Sequence, residues 1–330
     1  MSLAELCGAL RASRGFAHKR DISSVMRQLS PVLAPQFVLG DDCAAIEDGQ
    51  GHLLFAIEGF VEDFVEREPW FAGYCGLMVN VSDIAAMGGR PLAVVDALWS
   101  EDRAAGAGIL AGLSAASERY GVPIVGGHSN CQARRGQLAV AVIGRAKRLL
   151  TSFAARPGDA LVMAVDVRGQ WHDPYPYWNA STQAPSERLR ADLELLPKLA
   201  EDGLCDCAKD ISMAGAVGTA LMLLEASQAG GWIDLAALPR PPEIDPLDAQ
   251  QLLRWLVAFP SYGFILSVRP HRVAAVLERF RARQIACAAV GEVRQEPQLV
   301  LRLGEAQALL WNLAQEPFIG SEAPDCPVSA

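Results

Sequence analysis

An asparagine and an aspartate lie three residues apart in one apolar stretch of this chain. Asn80 and Asp83 share a helix face at that spacing, and the neighbouring residues Leu77, Val81 and Ile84 form the apolar stripe of a buried helix. Buried polar side chains need hydrogen-bond partners or a ligand. We therefore weigh two interpretations: the pair caps nearby backbone, or it faces a cleft that binds a ligand.

Carboxylates also stand after apolar runs elsewhere in the chain. They are Asp41, Asp42, Glu58 and Asp210. Adjacent carboxylates such as Asp41 and Asp42 repel unless a pKa shifts or a cation binds. Oxygen ligands suit Mg²⁺, which keeps several waters and bridges to substrate phosphates. Together with Asp83 these residues predict metal and phosphate chemistry; the alternative is that each aspartate closes a turn beside a glycine.

A glycine pair follows the apolar run at 122–125. Gly126 and Gly127 let the backbone turn sharply or approach a ligand closely, although a Gly-Gly pair also marks ordinary turns. His128 comes next and is a candidate catalytic residue; the alternative is a hydrogen-bonded structural histidine. We expect a loop at 126–130.

The motifs at these positions resemble, in the same order, those of one enzyme superfamily. It contains aminoimidazole ribonucleotide synthetase, selenophosphate synthetase, thiamine-monophosphate kinase and the hydrogenase-maturation dehydratase. The matching stretches are 40–44, 80–91, 126–130 and 210–215. The whole chain is similar to the subgroup called aminoimidazole ribonucleotide synthetase-related proteins, strongly over about residues 36–148 and more weakly over about 204–300.

The resemblance implies that this chain binds ATP through Mg²⁺. Asp42, Asp83 and Asp210 stand at the positions that hold metal ions against the phosphates. The residues expected to bind the nucleotide are Asn80, Ser82, Gly126, Gly127 and Ser129. The resemblance also implies a homodimer, in which first-domain strands close a barrel across the two-fold axis.

The chain departs from the named members of the superfamily at several positions. Thiamine-monophosphate kinases share an Asp-x-Ser-Asp-Gly motif, in which Met213 and Ala214 here replace the second Asp and the Gly. Selenophosphate synthetases carry a reactive Cys or selenocysteine and a Lys in a glycine-rich N-terminal segment. Cys7 and Lys19 stand here without the glycine-rich spacing, and Lys19 is a candidate catalytic residue. Glu58 replaces an aspartate of many relatives, which moves the carboxylate and alters metal geometry.

Composition excludes some classes of protein. A chain of 330 residues, of which 51% are hydrophobic, can bury enough apolar surface to form the cores of two domains. Its net charge of −9 argues against a nucleic-acid partner. No apolar run approaches the length of a membrane span, and the N-terminus lacks a signal-peptide core, so we expect a cytoplasmic protein. The eight cysteines show no paired metal spacing and are expected to be reduced thiols.

Alternating strand and helix patterns predict an α/β (α+β) fold with an N-terminal segment at 1–35, an ATP- and Mg-binding dimerisation domain at 36–156, and a second α/β domain at 157–330. The predicted strands cover 36–39, 53–58, 92–98, 122–126, 137–144, 160–167, 263–268 and 286–293. The predicted helices cover 69–87, 103–120, 187–201, 214–229, 247–257 and 271–283.

Aromatic residues and prolines crowd the stretch 171–179. The candidate substrate-binding residues there are Trp171, His172, Tyr175 and Trp178. Two prolines exclude a regular helix, and rings with polar edges offer stacking and hydrogen bonding. The stretch predicts a loop that selects the acceptor substrate; the alternative is an aromatic plug against a neighbouring domain or subunit.

Together the motifs predict an enzyme that transfers the γ-phosphoryl group of ATP to a small-molecule acceptor, or activates an oxygen of that acceptor before a second step. Asp41, Asp42 and Asp210 are then expected to converge in one cleft at the junction of the domains. One alternative is a non-catalytic nucleotide-binding partner protein of the same fold. Another is an activity like that of thiamine-monophosphate kinase or selenophosphate synthetase.

Overall fold

The computed structural model of this chain describes residues 1–29, 32, 39–60 and 62–321. Its contacts divide the chain into two compact units. Unit 1 comprises Met1–Asp41, Leu150–Thr182 and Asp202–Ala330, and unit 2 comprises Asp42–Leu149 and Gln183–Glu201. Residues 183–201 thus belong to unit 2 although both neighbouring stretches belong to unit 1. The division of the sequence at 36–156 and 157–330 stays a prediction.

The structure has α-helices and β-strands in both units. The helices are α1 (Leu3–Arg11), α2 (Arg14–Leu29), α3 (Glu62–Arg67), α4 (Pro69–Ala86), α5 (Arg103–Tyr120), α6 (Ser186–Leu193), α7 (Leu195–Glu201), α8 (Gly215–Ala226), α9 (Ala249–Leu256) and α10 (Val273–Arg281). The strands are β1 (Ala44–Glu47), β2 (His52–Phe60), β3 (Arg90–Trp99), β4 (Ile124–Asn130), β5 (Gln137–Ala146), β6 (Ala160–Val165), β7 (Gln170–Trp171), β8 (Tyr177–Asn179), β9 (Cys207–Asp210), β10 (Gly230–Asp234), β11 (Phe259–Pro260), β12 (Gly263–Val268), β13 (Ala286–Arg294), β14 (Gln298–Leu303) and β15 (Ala306–Asn312). In the part of the chain that the structure describes, no helix is both long and apolar enough to span a membrane.

Unit 2 is built on a five-stranded sheet with the order β1-β2-β5-β3-β4. Helix α4 packs on β2, β3 and β5, and several described side chains on the other side of the sheet are exposed. Because side chains alternate along a strand, that other side carries Phe55, Ile57, Val95 and Ile143. These four side chains, which we call the outer face, are 39% to 64% exposed.

Helix α4 carries the Asn80 and Asp83 motif and is buried almost along its whole length. Pro69 stands at its first turn, where a missing N–H costs nothing. Two glycines let its backbone approach α5, because a Cβ on Gly73 would collide with the Ile109 carbonyl and one on Gly112 with the Trp70 carbonyl. Gly88, with φ of 73°, follows the end of the helix. The motif is therefore held on a rigid element.

Unit 1 contains a seven-stranded sheet with the order β15-β14-β10-β13-β6-β12-β9 and a three-stranded sheet with the order β11-β8-β7. Every residue of α8 is buried. The N-terminal helices join the same core, since the Phe16 ring of α2 packs against Trp311 and Phe318. Helices α1 and α2 thus contribute to the core of unit 1.

Most of the predicted elements are confirmed, with bounds that differ by a few residues. The predicted strand at 36–39 lies largely outside the described residues. The single helix at 187–201 is wrong, because the chain forms α6 and α7 instead. Pro197 explains the break: it lacks the N–H that would bond to the Leu193 carbonyl, and its ring crowds that carbonyl. Helices α1, α2 and α3 and strands β1, β7 to β11, β14 and β15 are not predicted from the sequence pattern.

An ion-pair network ties residues 183–201 to the sheet of unit 2. Arg90 opens β3, and its Nε donates to Glu194 at 2.9 Å while its Nη1 donates to Glu201 at 2.7 Å. The hydrogen bond from Arg90 lowers the pKa of the Glu201 carboxyl, and the same bond raises the pKa of Arg90. Arg90 thereby fixes α6 and α7 on unit 2.

Glu201→Gln should lower the free energy of unfolding by about 1 kcal/mol at neutral pH, a value reduced for the partial exposure of both side chains. Because the folded pKa of Glu201 is lowered, its contribution is present above the pKa of an unfolded glutamate, about 4.3, and is lost as the pH falls through the folded pKa. Urea titrations of wild type and Glu201→Gln between about pH 7 and pH 3 measure the difference in free energy of unfolding at each pH.

The matched control is Glu292→Gln, which removes an exposed ion pair with Arg294 and should change stability by less than about 0.5 kcal/mol. A difference between wild type and Glu201→Gln that stays constant as the pH falls would contradict the assignment.

Candidate functional site

The two polar residues of α4 are both buried, but they have different surroundings. Asn80 is fully buried, and its Nδ2 donates to the Gly76 carbonyl at 2.7 Å and to the Val140 carbonyl at 2.9 Å. The amide therefore ties α4 to β5. Its Oδ1 is also buried, and no donor among the described residues reaches it, so one acceptor remains for a ligand or an ordered water.

Asp83 lies close to Asp42 within unit 2. One carboxylate oxygen of each residue lies within 4.8 Å of the other, and Asp83 is only 6% exposed. Two like charges at this separation repel, and a divalent cation relieves that repulsion. Carboxylate oxygens are the ligands that Mg²⁺ prefers. The donor set of this pair therefore fits Mg²⁺.

Asp41, the neighbour of Asp42, is engaged differently. Its Oδ2 accepts from Thr151 Oγ1 at 2.6 Å, and its Oδ1 accepts from the backbone N–H and the hydroxyl of Ser152 at 2.9 and 2.7 Å. Both oxygens thus anchor the stretch that follows β5. The adjacent pair divides into an anchor, Asp41, and a residue that approaches Asp83.

Asp210 ends β9 in unit 1 and is 5% exposed. The residue before it, Lys209, is equally buried and donates through Nζ to the Gly40 carbonyl at 3.2 Å. This contact brings the chain before Asp210 against the chain before Asp41. The two motifs, which are far apart in sequence, therefore meet in unit 1 through Lys209 and Gly40.

Helix α2 covers the turn that follows Asp210. A Cβ on Gly15 would collide with the Met213 carbonyl, so the helix backbone lies directly on this turn. Lys19 stands one helical turn beyond Gly15 and shares its face. The candidate catalytic lysine therefore lies on the side of α2 that packs towards the turn. Burial raises the pKa of the Cys7 thiol in α1, which makes its reactive thiolate scarce at neutral pH.

Glu58 lies in β2 and is exposed. Its strand register places it opposite Val140 of β5, and Val140 is in turn opposite Asp96 of β3. The Asp96 side chain is half-buried, and burial raises the pKa of its carboxyl. It is not among the site residues predicted from the sequence. An acidic residue inside the apolar run at 92–98 was the available signal. Gly127 makes room for it, since a Cβ there would lie 2.5 Å from Asp96 Oδ1.

The predicted loop at 126–130 is wrong, because these residues form most of β4. This edge strand runs parallel to β3 and is exposed throughout. His128 lies opposite Ala97 and contacts the Trp99 ring, with centroids 6.3 Å apart. Alternation along the strand places it on the same side as the outer face. The nucleotide-binding roles of Gly126, Gly127 and Ser129 stay predictions.

Ser82 is buried inside α4, and its hydroxyl donates to the Met78 carbonyl one turn earlier at 3.3 Å. This contact satisfies the hydroxyl within the helix. A role of Ser82 in nucleotide binding also stays a prediction.

The ends of the aromatic stretch pair as the short strands β7 and β8, and the predicted loop is confined to residues 172–176 between them. Trp178 is 1% exposed, its Nε1 donates to the Asp166 carbonyl at 3.0 Å, and its ring packs edge-on against Trp171 and Trp255. Trp178 is thus a core residue. A row of near-parallel, half-buried rings remains, formed by His172, Tyr175 and Tyr177.

Two domain families match the chain. Residues 40–146 match "AIR synthase related protein, N-terminal domain", and residues 158–304 match "AIR synthase related protein, C-terminal domain". The chain belongs to the AIR synthase related protein family.

Similar proteins of this family include both uncharacterized and named members. The uncharacterized protein sll0787 of Synechocystis is 46% identical over 96% of this chain and 98% of its own length. The thiamine-monophosphate kinase of Pyrococcus horikoshii is 38% identical over 37% of this chain and 41% of its own length. The selenide, water dikinase of Myxococcus xanthus is 22% identical over 83% of this chain and 89% of its own length.

Solved structures share the two-domain fold. T. maritima PurL complexed with ATP has a TM-score of 0.76 at 20% identity, over 100% of this chain and 54% of that chain. AaThiL complexed with AMPPCP and TMP has a TM-score of 0.66 at 19% identity, over 86% of this chain and 94% of that chain. The chain thus spans about half the length of PurL. At these identities the likeness shows the fold, and the predicted α/β fold of this family is confirmed.

The division between Asp41 and Asp42 leads to different outcomes for the two amide variants. Asp41→Asn should lower the free energy of unfolding by about 1–3 kcal/mol, because an amide nitrogen would face the donors of Thr151 and Ser152. Asp42→Asn should cost less than about 0.5 kcal/mol or stabilise the protein, since it removes one of two close like charges. Urea titrations in EDTA measure the free energy of unfolding of each variant and of wild type. Equal losses in the two variants would contradict the division.

Proposed function

We propose that this protein is an ATP- and Mg²⁺-dependent enzyme that phosphorylates a small-molecule acceptor, or activates it through ATP. The Asp42 and Asp83 pair carries the proposal, because two carboxylates held close together on buried framework suit a cation that neutralises phosphate charge. Relatives in the family include kinases and a dikinase, which supports an ATP-dependent reaction.

In this proposal Asp42 and Asp83 would hold Mg²⁺, and the family resemblance implies a further carboxylate from Asp210. When bound, Mg²⁺ would neutralise charge on the ATP phosphates. The buried Oδ1 of Asn80 would accept from a water or ligand group beside Asp83. Lys19 would place a positive charge near the transferred phosphate.

Two features of the chain distinguish it from thiamine-monophosphate kinases and selenophosphate synthetases. The turn after Asp210 offers the Met213 side chain in place of a second aspartate, so one metal ligand of the kinase motif is missing. The buried Cys7 thiol, with its raised pKa, is a poor nucleophile for a selenophosphate synthetase-like reaction. We therefore propose an acceptor other than thiamine monophosphate or selenide.

We propose that the half-buried rings of the hairpin recognise this acceptor. His172, Tyr175 and Tyr177 form a stacked row, with successive centroids 6.2 and 5.2 Å apart. Arg254 lies 3.9 Å from the Trp171 ring and pairs with Asp173, which holds the hairpin beside α9. Aromatic faces with polar edges suit a planar or ring-containing acceptor. Trp178 supports the hairpin from the core.

We also propose that the protein is cytoplasmic.

Turnover separates this proposal from a non-catalytic nucleotide-binding protein of the same fold. Wild-type protein is incubated with γ-labelled ATP, Mg²⁺ and candidate acceptors chosen by thermal stabilisation. Phosphorylated acceptor, or ADP formed only when acceptor is present, supports an enzyme. Tight ATP binding without turnover in any mixture would favour the binding protein.

Asp83→Asn should abolish Mg²⁺-dependent ATP binding and leave the fold intact, because the amide keeps the shape of the side chain but loses the charge that holds the cation. Calorimetric titration with ATP, with and without Mg²⁺, measures the affinity, and circular dichroism checks the fold. Asp63→Asn removes an exposed carboxylate of the same unit and should bind ATP like wild type. Unchanged affinity in Asp83→Asn would remove this residue from the metal site.

We also propose a homodimer formed through the outer face. Phe55 and Ile57 are 52% and 64% exposed on a sheet whose other side is covered by α4. An apolar sheet face of this kind is typical of a protein interface. The family resemblance, which implies a barrel across a two-fold axis, supports the same surface.

Ile57→Asp should therefore convert the protein to a monomer, because it buries a charge in the proposed interface. Size-exclusion chromatography with light scattering measures the mass. The control is Leu247→Asp, which changes a side chain that is 83% exposed in unit 1 and should leave the mass unchanged. A wild-type protein that is already monomeric at micromolar concentration would contradict the proposal.

A further inference from the structure

Lys209 is a buried cation in the four-residue strand β9, between the small residue Ala208 and the buried carboxylate Asp210. Its neighbours Cys207 and Ala208 are fully buried, and Lys209 itself is 5% exposed. Removal of an ammonium group from water costs several kcal/mol unless polar groups replace the lost hydration. A leucine or methionine would fill such a site at no such cost. The charge and its donors therefore need a specific explanation.

The Lys209 ammonium donates to the carbonyl of Gly40, a residue whose conformation only glycine adopts easily. Gly40 has φ of 127°, and a Cβ at this position would collide with the Ser321 hydroxyl. That hydroxyl donates to the Leu39 carbonyl at 3.1 Å. The turn at Gly40 is thus shaped by contacts with β9 and with the stretch near residue 321.

The next residue is held from a different direction. Both carboxylate oxygens of Asp41 accept from Thr151 and Ser152. Two consecutive residues, Gly40 and Asp41, are therefore fixed by separate partners immediately before Asp42. A charge-assisted hydrogen bond is about twice as strong as a neutral one, so the Lys209 ammonium is a strong tie on the Gly40 carbonyl.

We propose that Lys209 is a positioning residue for Asp42. By holding the Gly40 carbonyl, it sets the direction in which the chain leaves the turn, so that the Asp42 carboxylate meets Asp83. The inference rests on the proposed function, because it concerns the same metal site. It assigns Lys209 a role through the backbone, with no contact to metal or phosphate.

A competing role predicts an effect of opposite sign. If Lys209 were only a positive charge near a cation site, its removal would reduce repulsion and tighten metal binding. If it positions Asp42, its removal should loosen the turn and weaken metal binding. Lys209→Met removes the charge and the donors while it keeps most of the length, and Lys209→Arg keeps both charge and donors.

The first measurement is hydrogen exchange on metal-free protein. In Lys209→Met the amides of residues 40–42 should exchange at least about tenfold faster than in wild type, while amides in α4 stay unchanged. Lys209→Arg should restore the protection to within about threefold. Lys198→Met, which changes an exposed lysine of α7, serves as the matched control. Unchanged exchange at 40–42 in a folded Lys209→Met would overturn the inference.

The second measurement is Mn²⁺ binding followed by electron paramagnetic resonance, with Mn²⁺ as the probe for Mg²⁺. Lys209→Met should bind Mn²⁺ about 10-fold to 30-fold more weakly than wild type, and Lys209→Arg within about threefold of it. Tighter binding in Lys209→Met would overturn the inference in favour of a simple charge effect. If Lys209→Met does not fold, Lys209→Gln, which keeps neutral donors but is too short to reach Gly40, replaces it with the same expected outcomes.

The two measurements separate failure of this inference from failure of the proposed function. A wild-type protein that binds no Mn²⁺ would remove the metal site, and the exchange data would still decide whether Lys209 orders the turn. Normal Mn²⁺ binding in wild type together with unchanged exchange and affinity in Lys209→Met would leave the function in place and overturn the role of Lys209.

Discussion

The close approach of Asp42 and Asp83 is the constraint on which the candidate site depends. Two carboxylates within 4.8 Å, one of them almost fully buried, repel each other in the folded chain. The framework must hold them against that repulsion. Helix α4 supplies one side, because its backbone is locked against α5 at Gly73 and Gly112 and against β5 through the Asn80 amide. Such stored repulsion is typical of sites that gain affinity for a cation.

The other carboxylate is carried by a turn, which has no regular hydrogen-bond ladder of its own. Its rigidity comes from side chains: Lys209 on the Gly40 carbonyl and Thr151 and Ser152 on Asp41. This arrangement explains why two adjacent aspartates of identical chemistry have different roles. One satisfies three donors and anchors the chain, and the other is directed at a second carboxylate. Their order along the chain does not decide which is which; their partners do.

The sequence predicted the elements whose signal is local. The helix at 69–87 is predictable because its apolar stripe and its terminal glycines are continuous in sequence. Apolar runs likewise predict β2, β3 and β5 of the five-stranded sheet and β6, β12 and β13 of the seven-stranded sheet. The predictions failed where tertiary contacts decide. The glycine pair Gly126 and Gly127 favours a loop in the sequence, but these residues pair with β3 as an edge strand, and Gly127 makes room for the Asp96 carboxyl. The sequence predicts that Trp178 binds substrate, but its indole N–H donates to a backbone carbonyl inside the core.

The candidate site was predictable in its residue types and only partly in its geometry. Acidic residues after apolar runs can be read from one sequence, whereas the partners that divide Asp41 from Asp42 come from residues 151 and 152, more than a hundred positions away. Asp96 was missed for a related reason, since an acidic residue within a strand becomes significant only when burial shows that its charge is costly. Lys209 follows the same logic. A lysine beside an aspartate in sequence is ordinary, but a buried lysine bonded to the backbone before another aspartate links two motifs that the sequence keeps apart.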